Sequence, residues 1–332
     1  MSTQMESNVE PGLYPWLRAD YIQLVDQLSA GKLHHATLLH GVAGLGKRQL
    51  IKRFAQRVTC SQPVANKACG QCKSCLLFQA GSHPDHYFIA PLNDKKQISI
   101  DQIRYATSKV NETGLISTVR VISIEQLDLL TESAANALLK ALEEPPQGVY
   151  FLLASAQLNH VPATIASRCY KLNIKTPNPQ RLAAWLTKKT NVAVTPQQLF
   201  SFENSPLRNL TAIEEGTYQQ IAQVEHCYIE LITSLAQRSN QPDVIALATR
   251  DLVNQLEIAQ DSFGGVEVIR LLQLINQRLI KENVAQGEPS VKPDTLLKLS
   301  AGLVTLKEMI NKTPSINPLL QLQQLIVELS LK

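Results

Sequence analysis

Four cysteines in the first quarter of the chain could hold a metal ion. They are spaced C-x8-C-x2-C-x2-C, as Cys60, Cys69, Cys72 and Cys75. Four thiolates at this spacing can wrap a tetrahedral Zn²⁺ at Zn–S distances of about 2.3 Å, and they leave no open position for a reactive water. The pattern therefore predicts a structural zinc ion in a module over residues 60–75, with four free thiols as the alternative. His83 could replace one ligand, but its place before Pro84 and Asp85 favours a role in a turn.

A glycine-rich loop precedes the cysteines and could cradle phosphate. It reads Gly41-Val42-Ala43-Gly44-Leu45-Gly46-Lys47-Arg48. Glycines let successive backbone amides converge on phosphate oxygens, and a lysine at the start of the next helix reaches the terminal phosphates. The candidate nucleotide-binding residues are Gly41, Gly44, Gly46 and Lys47. The alternative is a strand-to-helix turn that never holds nucleotide.

Two positions argue against hydrolysis at this loop. The residue after the lysine usually carries a hydroxyl that ligates magnesium, whereas the guanidinium of Arg48 has no lone pair to offer a cation. The apolar run 119–124 reads as a neighbouring strand, and it ends in Glu125 and Gln126. Gln126 is neutral where a general base would lie. The sequence therefore predicts a degenerate phosphate loop without hydrolysis and leaves nucleotide binding open.

The elements that position these residues change character along the chain. Up to about Ile174, short apolar runs alternate with helical patterns, which predicts a parallel sheet with helices on both faces. The helix after the glycine loop should bury one face, formed by Leu50, Ile51, Phe54 and Ala55. A proline-rich linker begins at Thr176, and helical spacing dominates beyond it. The predicted fold class is thus α/β plus all-α.

Composition limits the classes of function. The chain has 332 residues and a net charge of only +4, and it contains no basic run interleaved with aromatic residues. Such a charge does not by itself indicate nucleic-acid binding. No secretory signal and no apolar run of about 20 residues is apparent. We therefore expect a cytoplasmic protein without a membrane partner.

Three stretches carry a resemblance to a known family. The first is TESAANALLKALEEPP at 131–146, an amphipathic helix that Thr131 or Ser133 can cap and a double proline stops. The second is Ile165-Ala166-Ser167-Arg168-Cys169, and the third is Leu33-His34-His35-Ala36. Together they closely resemble the clamp-loader subunits of the AAA+ ATPase superfamily over at least residues 12–176.

The resemblance implies three domains. These are an AAA+ core over 1–175 that includes the zinc module, a small helical lid over 176–214, and a helical collar over 215–332 through which five subunits associate. Support for the collar comes from Ile316-Asn317-Pro318-Leu319-Leu320. A self-contained helical domain is the alternative for the last part.

Within this family the chain looks like the delta-prime type of subunit of bacterial DNA polymerase III. Motor subunits share the cysteine insertion but keep a hydroxyl residue after the lysine and an Asp-Glu pair after the second strand. This chain has Arg48 and Glu125-Gln126 instead. The resemblance implies no intrinsic ATPase or polymerase activity. It implies membership of the polymerase III holoenzyme, through which a polymerase class would be assigned.

The resemblance also assigns roles and partners. Arg168 would reach into the ATP site of a neighbouring motor subunit as an arginine finger, where a surface arginine paired with a carboxylate is the alternative. Ser155 falls at a phosphate-sensing position, whereas Leu207 takes the place of the lid-sensing arginine and Arg208 lies one residue later. The implied partners are the gamma/tau motor subunits, the delta subunit, and, through the complex, the sliding clamp and primed DNA.

Two other classes of protein stay open at this point. A motor ATPase shares the fold but needs a hydroxyl at position 48 and a carboxylate at position 126. A stand-alone zinc-dependent DNA-binding protein needs an evident basic surface. Between Cys60 and Cys75 the chain has only Lys67 and Lys73 as cations, which favours a structural staple or docking surface over base recognition.

Overall fold

The computed structural model describes most of the chain in two compact units. The described residues are 12–92, 97–109, 114–196, 198–236, 242–263, 265–286, 293–313 and 316–330. The units are Met1–Pro177 and Asn178–Lys332. The predicted division into core, lid and collar domains stays a prediction.

A five-stranded parallel sheet forms the centre of the first unit. Its strands are β1 (Ala36–His40), β2 (His86–Ile89), β3 (Arg120–Ile124), β4 (Val149–Ser155) and β5 (Tyr170–Asn173). The spatial order is β2-β3-β4-β1-β5, and all neighbours are parallel. The central strands β1 and β4 are almost entirely buried, as expected of a sheet covered on both faces. The predicted parallel sheet is confirmed.

Helices cover both faces of this sheet. They are α1 (Arg18–Ser29), α2 (Lys47–Thr59), α3 (Lys73–Gln79), α4 (Ile100–Lys109), α5 (Glu132–Glu143) and α6 (Ala163–Ala166). One apolar cluster includes side chains of α1 and α2, and another includes those of α4 and α5. In α2 the predicted face is fully buried: Leu50, Ile51, Phe54 and Ala55.

The start of α5 shows which residue caps it. The Thr131 side chain accepts a hydrogen bond from the Ala134 N–H at 3.2 Å, so Thr131 rather than Ser133 is the N-cap. The helix ends at Glu143, immediately before Glu144 and the two prolines. Its buried face packs into the cluster on the α4 side of the sheet.

Among the described residues of the second unit, the regular elements are all helices. Its helices are α7 (Pro179–Thr190), α8 (Pro206–Glu214), α9 (Tyr218–Ala236), α10 (Pro242–Phe263), α11 (Gly265–Gln286), α12 (Pro293–Lys312) and α13 (Pro318–Ser330). Helices α9 to α13 share one apolar core, in which Tyr228 is fully buried. Ion pairs join Arg270 to Glu203 and Arg278 to Glu225.

One residue of the helical pattern faces the other way. Leu252, Leu256 and Ile258 are apolar residues of α10, but Ile258 is 53% exposed while the two leucines are buried. A helix turns about 100° per residue, so a position two residues after Leu256 lies almost opposite to it. In the part of the chain that the structure describes, no helix has the length and apolar character needed to cross a bilayer.

Candidate functional site

The glycine loop lies where β1 ends and α2 begins. Gly46 is left-handed, with φ of 85°, and precedes Lys47, the first residue of α2. A Cβ at Gly41, where φ is 145°, would lie 2.4 Å from the Ile174 carbonyl oxygen. These two positions therefore require glycine for reasons of backbone geometry alone.

Lys47 turns back onto its own loop. Its Nζ donates to the carbonyl oxygens of Gly41 at 2.5 Å and Val42 at 2.9 Å. Burial lowers the pKa of Lys47 to about 8, although the charge of Asp128 acts in the opposite direction. In this arrangement the ammonium group of Lys47 is hydrogen-bonded to the loop carbonyls instead of facing phosphate.

Arg48 and Glu125 pair across the position where a magnesium ion would be expected. Arg48 Nε lies 3.0 Å from Glu125 Oε1, and the guanidinium also lies over the Phe88 ring, 5.4 Å from its centroid. Burial raises the pKa of Glu125 to about 7, outweighing the lowering effect of Arg48 and Lys52. The guanidinium thus contacts one oxygen of this carboxylate.

An aromatic segment that precedes α1 lies against the glycine loop. The rings of Tyr14 and Trp16 stack at 4.9 Å, and Trp16 Nε1 donates to the Leu45 carbonyl at 2.8 Å. The Tyr14 amide donates to Gln49 Oε1 at 3.0 Å, and a Cβ at Gly46 would lie 2.6 Å from the Tyr14 ring. Sequence reasoning missed this contact, since no local pattern links residues about 30 positions apart.

The predicted phosphate-sensing residues already have neighbours of their own. Ser155 Oγ, at the end of β4, donates to the Gln157 carbonyl at 2.9 Å and accepts from the Gln157 amide at 3.1 Å. In the second unit, the Arg208 guanidinium lies over the Phe202 ring, 5.9 Å from its centroid. Sensing by Ser155 or Arg208 stays a prediction.

Arg168 lies just before β5 and points to the surface. Its Nη2 is 2.7 Å from Glu143 Oε1 at the end of α5, and its Nη1 donates to the Thr164 carbonyl at 2.9 Å. Burial raises the pKa of the adjacent Cys169 thiol to about 11. The pairing with a carboxylate, which is the alternative to the finger role, is thus present. The Arg168 side chain is nevertheless 37% exposed.

Arg168 and the glycine loop lie at opposite ends of two neighbouring parallel strands. β5 pairs in parallel with β1; Arg168 precedes β5, while the loop follows β1. A strand of five residues rises about 3.3 Å per residue, so the two ends of the strands are roughly 15 Å apart. Arg168 therefore lies away from the phosphate loop of its own chain.

The four cysteines come together as the spacing predicted. Their Sγ atoms all lie within 4.8 Å of one another, and three pairs are separated by 3.6, 3.9 and 3.9 Å. A tetrahedron with Zn–S bonds of 2.3 Å has edges of about 3.8 Å. The cysteines are Cys60, Cys69, Cys72 and Cys75. This geometry fits a tetrahedral metal ion of zinc size.

Backbone amides donate hydrogen bonds to three of the four sulfur atoms. The amides of Cys69, Cys72 and Cys75 each donate to an Sγ of this group at 3.3–3.4 Å. Burial tends to raise the pKa of Cys72, but hydrogen bonds from Ser61 and Cys75 dominate and lower it to about 5, whereas burial raises the pKa of both Cys60 and Cys75. Sulfur that accepts N–H bonds carries negative charge more readily, which suits a metal ligand.

His83 links the cysteine module to the sheet. Its Nε2 lies 2.9 Å from Ser74 Oγ, and its Nδ1 accepts from the Asp85 amide at 3.1 Å. The Asp85 carboxylate in turn accepts the amides of residues 115–117 at 2.7–2.8 Å. Sequence reasoning did not single out Asp85; an aspartate in a His-Pro-Asp turn before a strand was the available signal.

The five parallel strands in this order, with a glycine loop after β1, define the AAA+ nucleotide-binding fold. A family model described as "DNA polymerase III, delta subunit" matches residues 18–178. The chain is 35% identical over 243 residues to DNA polymerase III subunit delta' of Yersinia pestis. This alignment covers 70% of this chain and 69% of that relative. The chain belongs to the family of DNA polymerase III delta' subunits.

Other relatives align over a shorter span. The chain is 40% identical over 181 residues to the delta' subunit of Escherichia coli strain K12, and this match spans 54% of each protein. It is 38% identical over 212 residues to the delta' subunit of Haemophilus influenzae, spanning 63% of this chain and 64% of the relative. The chain thus spans about half to two thirds of the length of these curated relatives.

Proposed function

We propose that this chain is a non-hydrolysing clamp-loader subunit. It would assist a complex that places a sliding clamp on primed DNA during replication, and it would supply Arg168 to the ATP site of a neighbouring motor subunit. The observation that carries this proposal is the position of Arg168, which lies at the amino-terminal end of the parallel strands, whereas the chain's own phosphate loop lies at their carboxyl-terminal end. A partly exposed arginine so placed is suited to act on another chain's nucleotide.

The chain's own loop supports a role without hydrolysis. Arg48 pairs with Glu125, Lys47 bonds to the loop carbonyls, and Gln126 supplies no carboxylate. Phosphoryl transfer relies on magnesium and a positioned water, so each of these features removes one requirement. An ATP molecule could enter only if Lys47 exchanged its carbonyl partners for phosphate oxygens.

The cysteine group supports a structural zinc ion. Zn²⁺ bound by Cys60, Cys69, Cys72 and Cys75 would cross-link the end of α2 to the start of α3. With all four positions filled by sulfur, the ion would have no place for a catalytic water. Its contribution would be to stability.

The partners follow from the family. Relatives are named DNA polymerase III subunit delta' and, for a relative 28% identical over 194 residues, DNA polymerase III subunit tau/gamma. We infer that this chain associates with gamma/tau motor subunits and a delta subunit through its AAA+ unit and its C-terminal helices. Clamp and primed DNA would be reached through the assembled complex, in the cytoplasm.

The test is ATP turnover by a reconstituted clamp loader that contains either the intact chain or Arg168→Ala. Clamp and primed DNA are added as activators. We expect turnover at the affected site to fall about tenfold or more, since arginine fingers contribute about 10³ to 10⁵ in GTPases. Arg168→Lys should restore little, because an ammonium lacks the planar fork. Glu143→Gln removes the local partner of Arg168 but keeps the guanidinium, so it should preserve turnover.

The outcomes separate the alternatives. Size-exclusion chromatography must show the same assembled complex for each variant. Unchanged turnover with Arg168→Ala would remove the finger role and leave a scaffold. Magnesium-dependent ATP turnover by the isolated chain would instead revive the motor ATPase.

A further inference from the structure

A second group of metal-binding side chains lies on α9, in the other compact unit from the four cysteines. It consists of His226, Cys227 and Glu230, and one ligand atom from each lies within 4.8 Å of the others. His226 Nδ1 is 3.5 Å from Glu230 Oε2. Residues four apart lie on the same helix face, one turn from each other, which is why the imidazole and the carboxylate meet.

The three side chains differ in their exposure. The side chains of His226 and Glu230 are 73% and 59% exposed, whereas Cys227 is half-buried and packs against the helical core. An ion here would be open to solvent on the imidazole and carboxylate side. Its sulfur ligand would be held in place by the packing of α9.

The charges around the thiol attract a cation. The carboxylates of Glu230 and Asp251 place negative charge near the Cys227 thiol. Asp251 belongs to α10, the helix that packs along α9. Arg250 lies 3.9 Å from Asp251 and offsets part of its charge. A divalent ion would replace the thiol proton and relieve the repulsion between sulfur and the carboxylates.

The donor set selects the kind of metal. Magnesium and calcium prefer oxygen ligands alone, whereas zinc accepts imidazole, thiolate and carboxylate together. We propose that His226, Cys227 and Glu230 form a second zinc site on α9, with three protein ligands and one open position. This site would differ from the four-cysteine centre, which is closed. The alternative is a helical ion pair between His226 and Glu230 with an uninvolved thiol.

A cobalt titration of the full-length chain tests the proposal. The protein is first given one equivalent of Zn²⁺, so that the tighter four-cysteine site is filled. Co²⁺ is then added under reducing conditions. We expect a second equivalent of metal to bind, with a thiolate-to-cobalt charge-transfer band that reports sulfur ligation.

Variants identify the ligands. His226→Gln and Cys227→Ser should each abolish the charge-transfer band, and Glu230→Gln should weaken it. His226 is largely exposed, so its substitution leaves the core intact and keeps the test independent of folding. Glu257→Gln, an exposed carboxylate on α10 outside the group, is the matched control and should bind Co²⁺ as the wild type does. A band that survives in His226→Gln, or no band in the wild type, would overturn the proposal.

Discussion

The Arg48 guanidinium lies 3.0 Å from the Glu125 carboxylate, so the substituted position of the glycine loop contacts the acidic residue that follows β3. Arg48 stands where a magnesium-binding hydroxyl is usual, and Glu125 stands where a magnesium-organising carboxylate is expected. The arginine therefore removes a metal ligand and also supplies a positive charge in its place. Restoring metal binding requires changing the arginine first.

Replacing Arg48 should expose this requirement. We expect Arg48→Thr to make nucleotide binding by the isolated chain depend on magnesium, because it frees Glu125 and adds a hydroxyl. The wild type should show no such dependence. Calorimetric titration with ATP, in the presence and absence of Mg²⁺, measures the difference. Arg53→Thr alters an arginine on the same helix and is the control; an equal gain in that variant would refute the explanation.

Glu125 should make stability depend on pH. Its pKa is raised from 4.5 to about 7, so its contribution to stability is complete below about pH 4.5 and is lost as the pH rises through 7. Glu125→Gln has no such loss. We therefore expect the unfolding free energy of the variant, relative to that of the wild type, to increase by about 1–3 kcal/mol between pH 5.5 and pH 8.

Urea denaturation of both proteins at the two pH values checks this expectation. The quantity to compare is the difference in unfolding free energy between variant and wild type. If that difference is the same at both pH values, Glu125 is not the carboxyl group responsible.

Loss of a cysteine ligand should weaken the first unit. We expect Cys72→Ser to lower both zinc content and thermal stability, by about 3 kcal/mol or more, since structural zinc sites contribute strongly to folding free energy. Chelation should lower the stability of the wild type but change the variant much less. Gln71→Ala, an exposed neighbour, is the control. Equal zinc content in wild type and Cys72→Ser would argue against the site.

The cap of α5 offers a local test of the fold. Thr131→Ala should cost about 1 kcal/mol of unfolding free energy, because the Ala134 amide loses its side-chain acceptor. Ser133→Ala, two residues later, should cost less than about 0.5 kcal/mol. Chemical denaturation of the two variants gives the comparison. Equal costs would mean that the two hydroxyls share the capping role.

Local patterns in the sequence were sufficient for much of the sheet and for the cysteine centre. The predicted strand over 119–124 is present as β3, which begins one residue later, at Arg120. The cysteines meet because they are close in sequence and flank one turn of chain. These features depend on period-two or period-3.6 patterns and on short spacing, which a sequence displays directly.

Contacts between distant residues could not be predicted in the same way. The pairing of Arg48 with Glu125 joins positions 77 residues apart, and no periodic pattern indicates which side chain an arginine meets. The same applies to Trp16 on the Leu45 carbonyl and to the pairing of Arg168 with Glu143.

The bond from Trp16 to the glycine loop gives the protein a built-in optical reporter. The chain contains two tryptophans, Trp16 and Trp185, and they belong to different compact units. In a Trp185→Phe variant, all indole emission comes from the residue whose Nε1 donates to Leu45. Its emission colour and quenching would then follow the glycine loop during titration or assembly without an attached dye, while Trp16→Phe would leave a signal from the helical unit alone.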